Sequence, residues 1–145
     1  MQANEFVASG YQIRKLIEKK SEPLMEKYHL RIVELDILVI LFRSKRIDTA
    51  KAIIQKKHIS KAHASKSVEN LQNEGYVLLT EDESDHRIVH ISLTEKANQV
   101  VEDAMEIYEE CRQIMFRGIT EDQRVVMKQV MKQVSDNLRQ ELGNE

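Results

Sequence analysis

The stretch from Ser60 to Asn73 carries side chains that suit hydrogen bonding with another molecule. If Ala64, Val68 and Leu71 face inward on a helix, the opposite face is small or polar. The outward residues are then Ala62, His63, Ser65, Lys66, Glu69, Asn70 and Asn73. Small residues allow close approach to a DNA groove, and Lys, Asn and Ser can contact base edges or phosphates. An amphipathic helix with an ordinary solvated face has the same pattern, so this segment alone leaves both interpretations open.

Charge is unevenly distributed along the chain, although the formal net charge is only -2. From Arg43 to Lys66 there are eight Lys or Arg residues and one acid, Asp48, which gives a net charge of +7. From Glu69 to Asp85 there are six acids and no Lys or Arg, which gives a net charge of -6. A local basic block can bind phosphates even in an acidic protein, so the first segment favours DNA binding, with a solvated helical surface as the alternative.

The sequence shows no spacing that is typical of a catalytic or metal site. Five histidines (His29, His58, His63, His86 and His90) have neither zinc-finger nor zinc-protease spacing. There is no glycine-rich phosphate loop and no nucleophile elbow. We therefore expect no enzyme, no cofactor and no metal. The acids Asp82, Glu83 and Asp85, with His86 and His90, could hold a metal in principle, but a solvated hairpin tip is the simpler interpretation.

Two further features have packing as their simpler interpretation. The single cysteine, Cys111, falls in a long predicted helix, where a thiol usually acts as a small buried apolar group and only sometimes as an oxidant sensor. Tyr11, Tyr28 and the methionines could line a ligand pocket, but packing accounts for them equally well.

Composition limits the class of protein. The chain has 145 residues, of which 41% are hydrophobic and 32% charged, with four Gly and one Pro. These values favour a helix-rich protein. No run of about 18 apolar residues is present, so we expect no membrane span. The N-terminus does not resemble a signal peptide, and a lone cysteine is compatible with a reducing compartment, so we expect a cytoplasmic protein.

Apolar periodicity predicts four helices in the first half of the chain. The first spans about Glu5–Ser21, is interrupted at Ser21 and Pro23, and is followed by a short turn over Leu24–Tyr28. The next two predicted helices are Ile32–Phe42, which is almost wholly apolar, and Ile47–His58, capped by Asp48 or Thr49. After a turn at His58-Ile59, Ser60 is the predicted N-cap of a fourth helix, which ends at Gly75.

In the second half of the chain, the spacing of apolar residues changes first to the alternation that is typical of strands. Tyr76–Thr80 and Ile88–Leu93 are predicted strands around a polar loop. Thr94 is the predicted cap of a long helix over Glu95–Arg117, and Gly118 ends it. Thr120 and Gln123 form a capping box for the last helix. That helix has one apolar stripe, made of Met127, Val130, Met131, Val134, Leu138 and Leu142.

The order helix, turn, helix, hairpin is that of a winged helix-turn-helix, and three motifs resemble the MarR family of regulators. They are Ser60–Val77 with Leu71-x-x-x-Gly75, then Asp85-His86-Arg87, and then Leu93-Thr94-Glu95-Lys96. Leu30–Leu41 is similar to the helix that precedes the helix-turn-helix of that family, so the resemblance covers roughly 30–97. It implies a mainly α fold with a small β-hairpin wing (α+β) and a DNA-binding transcriptional regulator, in particular a repressor. The resemblance is also compatible with a small-molecule ligand that relieves repression.

The resemblance implies roles for individual residues. Lys66 stands where the family often has an arginine near DNA, Arg87 matches an arginine that enters the minor groove, and Asp85 matches its orienting carboxylate. The full predicted DNA-binding set is Ser60, Lys61, His63, Ser65, Lys66, Asn70 and Arg87, with Asp85 as wing support. A plain surface ion pair is the alternative for Asp85 and Arg87.

Three features depart from the family pattern. Ser67 replaces an aliphatic residue and Ala97 replaces a glycine. The acidic arm Glu81-Asp82-Glu83 should oppose close approach of the wing to phosphates.

The whole chain, 1–145, is predicted to form one domain in which 30–97 bind DNA. The segments 1–29 and 98–145 contribute long helices whose apolar stripes would be buried in a homodimer. A two-fold dimer implies an inverted-repeat operator in double-stranded DNA. The alternative function is a winged-helix module that binds a protein and not DNA, which the basic block argues against because protein interfaces are depleted in lysine.

Overall fold

A computed structural model describes residues 3–57 and 59–143. These residues form helices α1 (Ala3–Tyr28), α2 (Ile32–Arg43), α3 (Ala50–Lys57), α4 (Lys61–Asn73), α5 (Ala97–Met115) and α6 (Glu121–Leu142), and strands β1 (Val77–Glu81) and β2 (Val89–Leu93). The mainly α fold with a small hairpin is therefore confirmed. The predicted turn at His58-Ile59 begins at a residue outside the described ones.

The contacts divide the chain into two compact units, with the boundary between Cys111 and Arg112. The core of the first unit is built on α2, whose Leu35, Ile37 and Leu38 are fully buried. Buried side chains from α1, α3, α4, the hairpin and α5 pack in the same core, among them Leu24, Ile53, Leu71, Val77, Ile91 and Val100. This core fixes α4 and the hairpin, the two elements that the sequence predicts to contact DNA.

The hairpin is antiparallel, and its register pairs Val77 with Leu93 and Leu79 with Ile91. The segment before α3 pairs with the outer side of β2. Thr49 forms an antiparallel bridge with His90, and the N–H of Ile91 donates to the carbonyl of Asp48 at 2.6 Å. The prediction that the third helix starts at Ile47 was therefore wrong by three residues. Asp48 and Thr49 are extended against β2, and Thr49 caps α3 by accepting from the N–H of Ala52 at 3.2 Å.

The predicted break at Ser21 and Pro23 is also wrong, since α1 runs through both residues. Proline removes one helical hydrogen bond, but its φ is compatible with a helix. Burial of Ser21 and Leu24 holds the segments on either side of Pro23 to the core. Further along, Tyr28 and Lys27 both donate to Asp103 Oδ2 of α5, at 2.7 and 3.0 Å. These tertiary contacts therefore outweigh the tendency of Ser21 and Pro23 to end the helix.

In the second unit, Gly118 has φ +77 and lies just after the end of α5, as predicted. The capping box of α6 is also confirmed, because Thr120 Oγ1 accepts from the N–H of Gln123 at 3.3 Å and the side chain of Gln123 accepts from the N–H of Thr120 at 2.9 Å. Among the described residues, no helix has the combination of length and apolar character that a membrane crossing requires.

Candidate nucleic-acid interface

Helix α4 presents the polar face that the sequence predicts. Ser60 is its N-cap, and its hydroxyl accepts from the N–H of His63 at 3.1 Å. The inward side chains Ala64, Val68 and Leu71 are buried as predicted. Five predicted contact residues are exposed together around the first two turns, namely Ser60, Lys61, His63, Ser65 and Lys66. This face is free of large apolar side chains and can approach a groove closely.

Ser67, one of the departures from the family pattern, is buried on the inner side of α4. Its hydroxyl has no hydrogen-bond partner among the described residues. A small side chain at this position still fits the core, so the departure does not disturb the fold.

Lys66 lies on the outer face, where its Nζ contacts Glu69 Oε2 at 3.1 Å. Both side chains are well exposed, at 61% and 58%. An ion pair between residues this exposed contributes little to stability and is easily exchanged for a phosphate. Lys66 is therefore available to a ligand at small cost.

Asn70 is different, because its side chain is half-buried and bound within the protein. Its Nδ2 donates to Glu34 Oε1 of α2 at 3.0 Å. Glu34 also accepts from the backbone N–H of Arg31 at 2.9 Å and from the guanidinium of Arg31 at 2.9 and 3.2 Å. Asn70 was predicted to face outward, and this cluster was not predicted because nothing in the residue spacing pairs α2 with α4.

The carboxylate of Glu34 stays charged in this cluster. Burial by itself would raise its pKa, but hydrogen bonds from the Arg31 backbone, Asn70 and the Arg31 side chain outweigh that effect and lower the pKa. An arginine is thus fixed beside the recognition helix by a carboxylate that also holds the helix.

The other end of α4 is held by the Leu93-Thr94-x-Lys96 motif. Thr94 Oγ1 donates to the carbonyl of Gly75 at 2.6 Å, and Lys96 Nζ donates to the carbonyl of Glu74 at 2.5 Å. These contacts satisfy carbonyls that lack helical partners, and the ammonium lies at the negative end of the helix dipole. The prediction that the Thr94 hydroxyl caps the following helix was wrong, because that hydroxyl faces Gly75 and α5 begins at Ala97.

At the wing, the carboxylate of Asp85 forms an ion pair with the guanidinium of Arg87, as the family resemblance implies. Asp85 Oδ1 accepts from Nε of Arg87 at 3.0 Å, and Oδ2 accepts from Nη2 at 3.1 Å. Hydrogen bonds from the side chain and backbone of Arg87 lower the pKa of Asp85. The Arg87 side chain is 89% exposed, so its guanidinium is oriented but open to solvent. Such a paired fork presents a fixed direction to an approaching anion.

The acidic arm is not a uniform solvated surface. Glu81 contacts His86 Nδ1 at 3.2 Å and is exposed, whereas Asp82 is half-buried. Asp82 Oδ1 accepts from the N–H and hydroxyl of Ser84 and from the N–H of Asp85, at 2.9, 2.7 and 3.0 Å. One of the three acids is therefore internal to the turn, and its hydrogen bonds shape the segment that leads to Arg87.

The basic block is also partly internal. Lys57 Nζ lies 2.8 Å from Oδ2 of Asp36, a buried carboxylate of α2, and Arg14 Nη1 contacts the same oxygen at 2.8 Å. The phenol of Tyr108 donates to Asp36 Oδ1 at 2.9 Å, and the guanidinium of Arg43 lies over the ring of Tyr108. Burial, followed by the nearby Asp36 carboxylate, raises the pKa of Tyr108. Not every cation counted in the sequence therefore faces a ligand.

Comparison with known proteins indicates the function of this helix-turn-helix and wing. Residues 30–97 match the family described as a winged helix DNA-binding domain. The sequence is 25% identical over 125 residues, 86% of this chain and 72% of the relative, to the uncharacterized HTH-type transcriptional regulator YwaE of Bacillus subtilis. A MarR transcriptional regulator from Methanosarcina mazei has the same fold, with a TM-score of 0.76, 22% identity, and coverage of 93% of this chain and 98% of that one. The chain is a DNA-binding transcriptional regulator with the MarR fold.

A second structure with the MarR fold adds a biochemical point. BpsR of Bordetella bronchiseptica has a TM-score of 0.70 and 18% identity, with coverage of 93% of this chain and 94% of that one. The DNA binding of BpsR is regulated by 6-hydroxynicotinic acid. At this identity the likeness concerns the fold.

Within the MarR fold, the structure leaves most of the predicted residues exposed on the second helix of the helix-turn-helix and on the wing. Ser60, Lys61, His63, Ser65 and Lys66 lie exposed on α4, and Arg87 lies exposed on the wing. Asn70 is engaged with Glu34. The residues whose contacts were not predicted are Arg31, Glu34 and Asp48. The one signal for Glu34 was that it and Asp36 are acidic residues in a mostly apolar helix.

Proposed function

We propose that this regulator binds an inverted-repeat operator in double-stranded DNA as a homodimer in the cytoplasm, and that it acts as a repressor. The observation that carries the proposal is that α4 has an exposed polar face and that the wing of the same fold has an exposed arginine fork. A helix of this kind fits the major groove, and a wing arginine fits the minor groove of the flanking sequence.

The residues of α4 divide between backbone and base contacts in this proposal. Ser60 and Lys61 begin the helix, where side chains and backbone N–H groups suit phosphates. His63, Ser65 and Lys66 follow on the exposed face and are the candidates for base contacts. Asn70 then supports the helix through Glu34, with its remaining amide groups as a secondary contact.

Dimerisation is supported by apolar side chains that the single chain leaves in solvent. On α1 they are Phe6, Val7, Tyr11 and Ile13. On α6 they are Val125, Val126, Met127, Val130, Met131, Leu138 and Leu142, and no described residue of α6 is buried. Exposed apolar surface of this extent is unusual for a monomer. A second copy related by a two-fold axis would cover it, since closed two-fold dimers are the commonest oligomers.

A small-molecule ligand is supported by a cavity of about 410 Å³ among α2, α3 and Tyr108. Its lining includes apolar Val39 and Ile40, the cations Arg43 and Lys56, and the Lys57–Asp36 ion pair. Because Lys57 is already neutralised by Asp36, the charge that remains for a ligand comes from Arg43 and Lys56, and this size and lining suit a small, partly apolar anion. The proposal for this chain is that such a ligand changes its affinity for DNA, as 6-hydroxynicotinic acid does for BpsR.

The DNA-contact proposal is tested by titrating duplex DNA with the protein at increasing salt. Each neutralised phosphate contributes about -0.9 to the slope of log affinity against log salt. We expect affinity to fall steeply between roughly 50 and 200 mM salt. Affinity that stays flat over this range would contradict phosphate contacts by the basic residues.

A further inference from the structure

The imidazole of His90 lies between two carboxylates that come from different parts of the fold. Its Nδ1 lies 2.8 Å from Asp48 Oδ2, in the segment that leads into α3. Its Nε2 lies 2.8 Å from Asp82 Oδ2, in the wing turn after β1. All three side chains are between one quarter and two fifths exposed, so the ring is bound but accessible to protons from solvent.

The two carboxylates are themselves anchored. The backbone carbonyl of Asp48 accepts from the N–H of Ile91, which fixes the start of α3 against β2. The second oxygen of Asp82 accepts from Ser84 and from the N–H of Asp85, and Asp85 holds Arg87. A continuous series of hydrogen bonds therefore runs from the helix-turn-helix through His90 to the wing arginine.

Both contacts of the ring require a proton on nitrogen. A carboxylate is an acceptor only, and a neutral imidazole has one N–H, whereas an imidazolium has two. If the ring is neutral, one of its nitrogens presents a lone pair to a carboxylate oxygen at 2.8 Å, and that contact must open. The geometry therefore belongs to the protonated ring.

We propose that protonated His90 is a positioning residue that fixes the wing to the start of α3, and that its deprotonation loosens the wing and weakens DNA binding through Arg87. The affinity of this regulator for DNA then falls as pH rises and the ring loses its proton. The second half of this proposal rests on the proposed minor-groove contact of Arg87.

The charges around His90 set the direction of the effect. From the wing turn Asp82 faces the ring, while its neighbour Glu81 pairs with His86. From the segment before α3 Asp48 faces it, and among the described residues α2 and α3 contribute no charged group that perturbs it. Hydrogen bonds to Asp82 and then to Asp48 raise the pKa of His90 above its ordinary 6.5. The link is therefore complete below that ordinary value and is lost as pH rises through the raised one.

The first test is a proton NMR titration of the histidine rings in the DNA-free protein. We expect the pKa of His90 to lie above 6.5 and to fall in Asp82→Asn, which removes the charge but retains an oxygen for Ser84. A His90 pKa at or below 6.5, or one unchanged in Asp82→Asn, would overturn the proposal whatever the outcome of DNA binding.

The second test measures affinity for a fixed duplex at constant salt from about pH 6 to pH 9, which extends upward from just below the ordinary histidine pKa of about 6.5. We expect a several-fold loss of affinity in the parent and the same loss in His86→Gln, the matched wing histidine. His90→Gln should show a flatter profile, and so should Arg87→Ala. A profile that is identical in the parent and His90→Gln overturns the proposal.

The Arg87→Ala variant separates the two proposals. If it binds like the parent at every pH, the wing contact itself is wrong. If it binds more weakly but keeps the full pH dependence of the parent, the wing contact stands and the link through His90 is wrong.

Discussion

Asn70 of the recognition helix donates its amide N–H to Glu34 of α2 at 3.0 Å, and the Glu34 side chain is only 4% exposed. One carboxylate thus holds α4 to the N-terminus of α2. Because Arg31 donates to the same carboxylate, the orientation of α4 and the position of an exposed arginine are coupled. The recognition surface depends on this internal contact as well as on its own side chains.

Replacement of Glu34 by Gln should destabilise the protein. The substitution removes a buried charge that accepts from Arg31 and Asn70, and hydrogen bonds to charged groups contribute about 1.5–3 kcal/mol each. Urea denaturation at neutral pH should show a loss of this order. Glu69→Gln, which removes only an exposed ion pair, should change stability by less than about 1 kcal/mol.

The lowered pKa of Glu34 predicts the pH dependence of that loss. The stabilising effect is present above the ordinary value of 4.5 and is lost as pH falls through the lowered folded value. The stability gap between the parent and Glu34→Gln should therefore narrow in acid. A gap that stays constant to low pH would show that the carboxylate charge is not what stabilises the helix contact.

Lys66→Ala should weaken binding to specific DNA and relax preference at one base position per half-site. A good base contact contributes about 1–3 kcal/mol of discrimination. Folding should be unaffected, because the side chain is 61% exposed. Titration against a panel of single-base variants of the site measures the effect, with Lys132→Ala on α6 as the matched control. Uniform weakening across the panel would instead assign Lys66 to a phosphate.

Arg87→Ala should weaken binding more on sites with A·T-rich flanks than on sites with G·C-rich flanks, because narrow minor grooves attract arginine most strongly. The comparison requires four titrations, parent and variant on each kind of flank. Arg139→Ala, another exposed arginine, should behave like the parent. Equal binding by Arg87→Ala and the parent on both flanks would show that the wing does not contact DNA.

Light scattering of dilute protein should give twice the chain mass of 16.9 kDa. Val130→Asp on the exposed apolar face of α6 should shift the mass towards that of one chain, since a charge in an apolar interface is costly. Leu78→Asp, at an equally exposed apolar position on the hairpin, should remain a dimer. A parent protein with the mass of a single chain would exclude the dimer.

Element types could be predicted from the sequence because the local signals agree with the final packing. The inward face of α4, its Ser60 cap and the glycine at its end, with φ +78 at Gly75, follow from periodicity and backbone chemistry. The signals failed where long-range contacts prevailed. Pro23 did not end α1 because the core holds both sides of it, and Asp48-Thr49 did not join α3 because β2 binds them as an edge.

The residues of the candidate site were predictable from the sequence where they belong to a single helix or hairpin. Lys66 and Arg87 stand out by residue type and position alone. The contacts of Asn70 with Glu34, and of His90 with Asp48 and Asp82, join residues 36, 42 and 8 positions apart. No spacing rule relates such residues, because only the folded core brings them together. The acidic arm is largely solvated as predicted, since Glu81 and Glu83 are exposed, but the hydrogen bonds of Asp82 with His90 and Ser84 were not foreseen.

Selection of bound DNA from a random duplex library is the decisive test of DNA recognition by α4 and the wing of a two-fold dimer. We expect enrichment of an inverted repeat whose half-site centres are about 10–10.5 base pairs apart, with flanks biased towards A·T where Arg87 would enter the minor groove. Loss of this enrichment in Lys66→Ala combined with Arg87→Ala would tie it to α4 and the wing. A library that stays unenriched with the parent protein, or that yields a single site without two-fold symmetry, would contradict sequence-specific binding by a two-fold dimer.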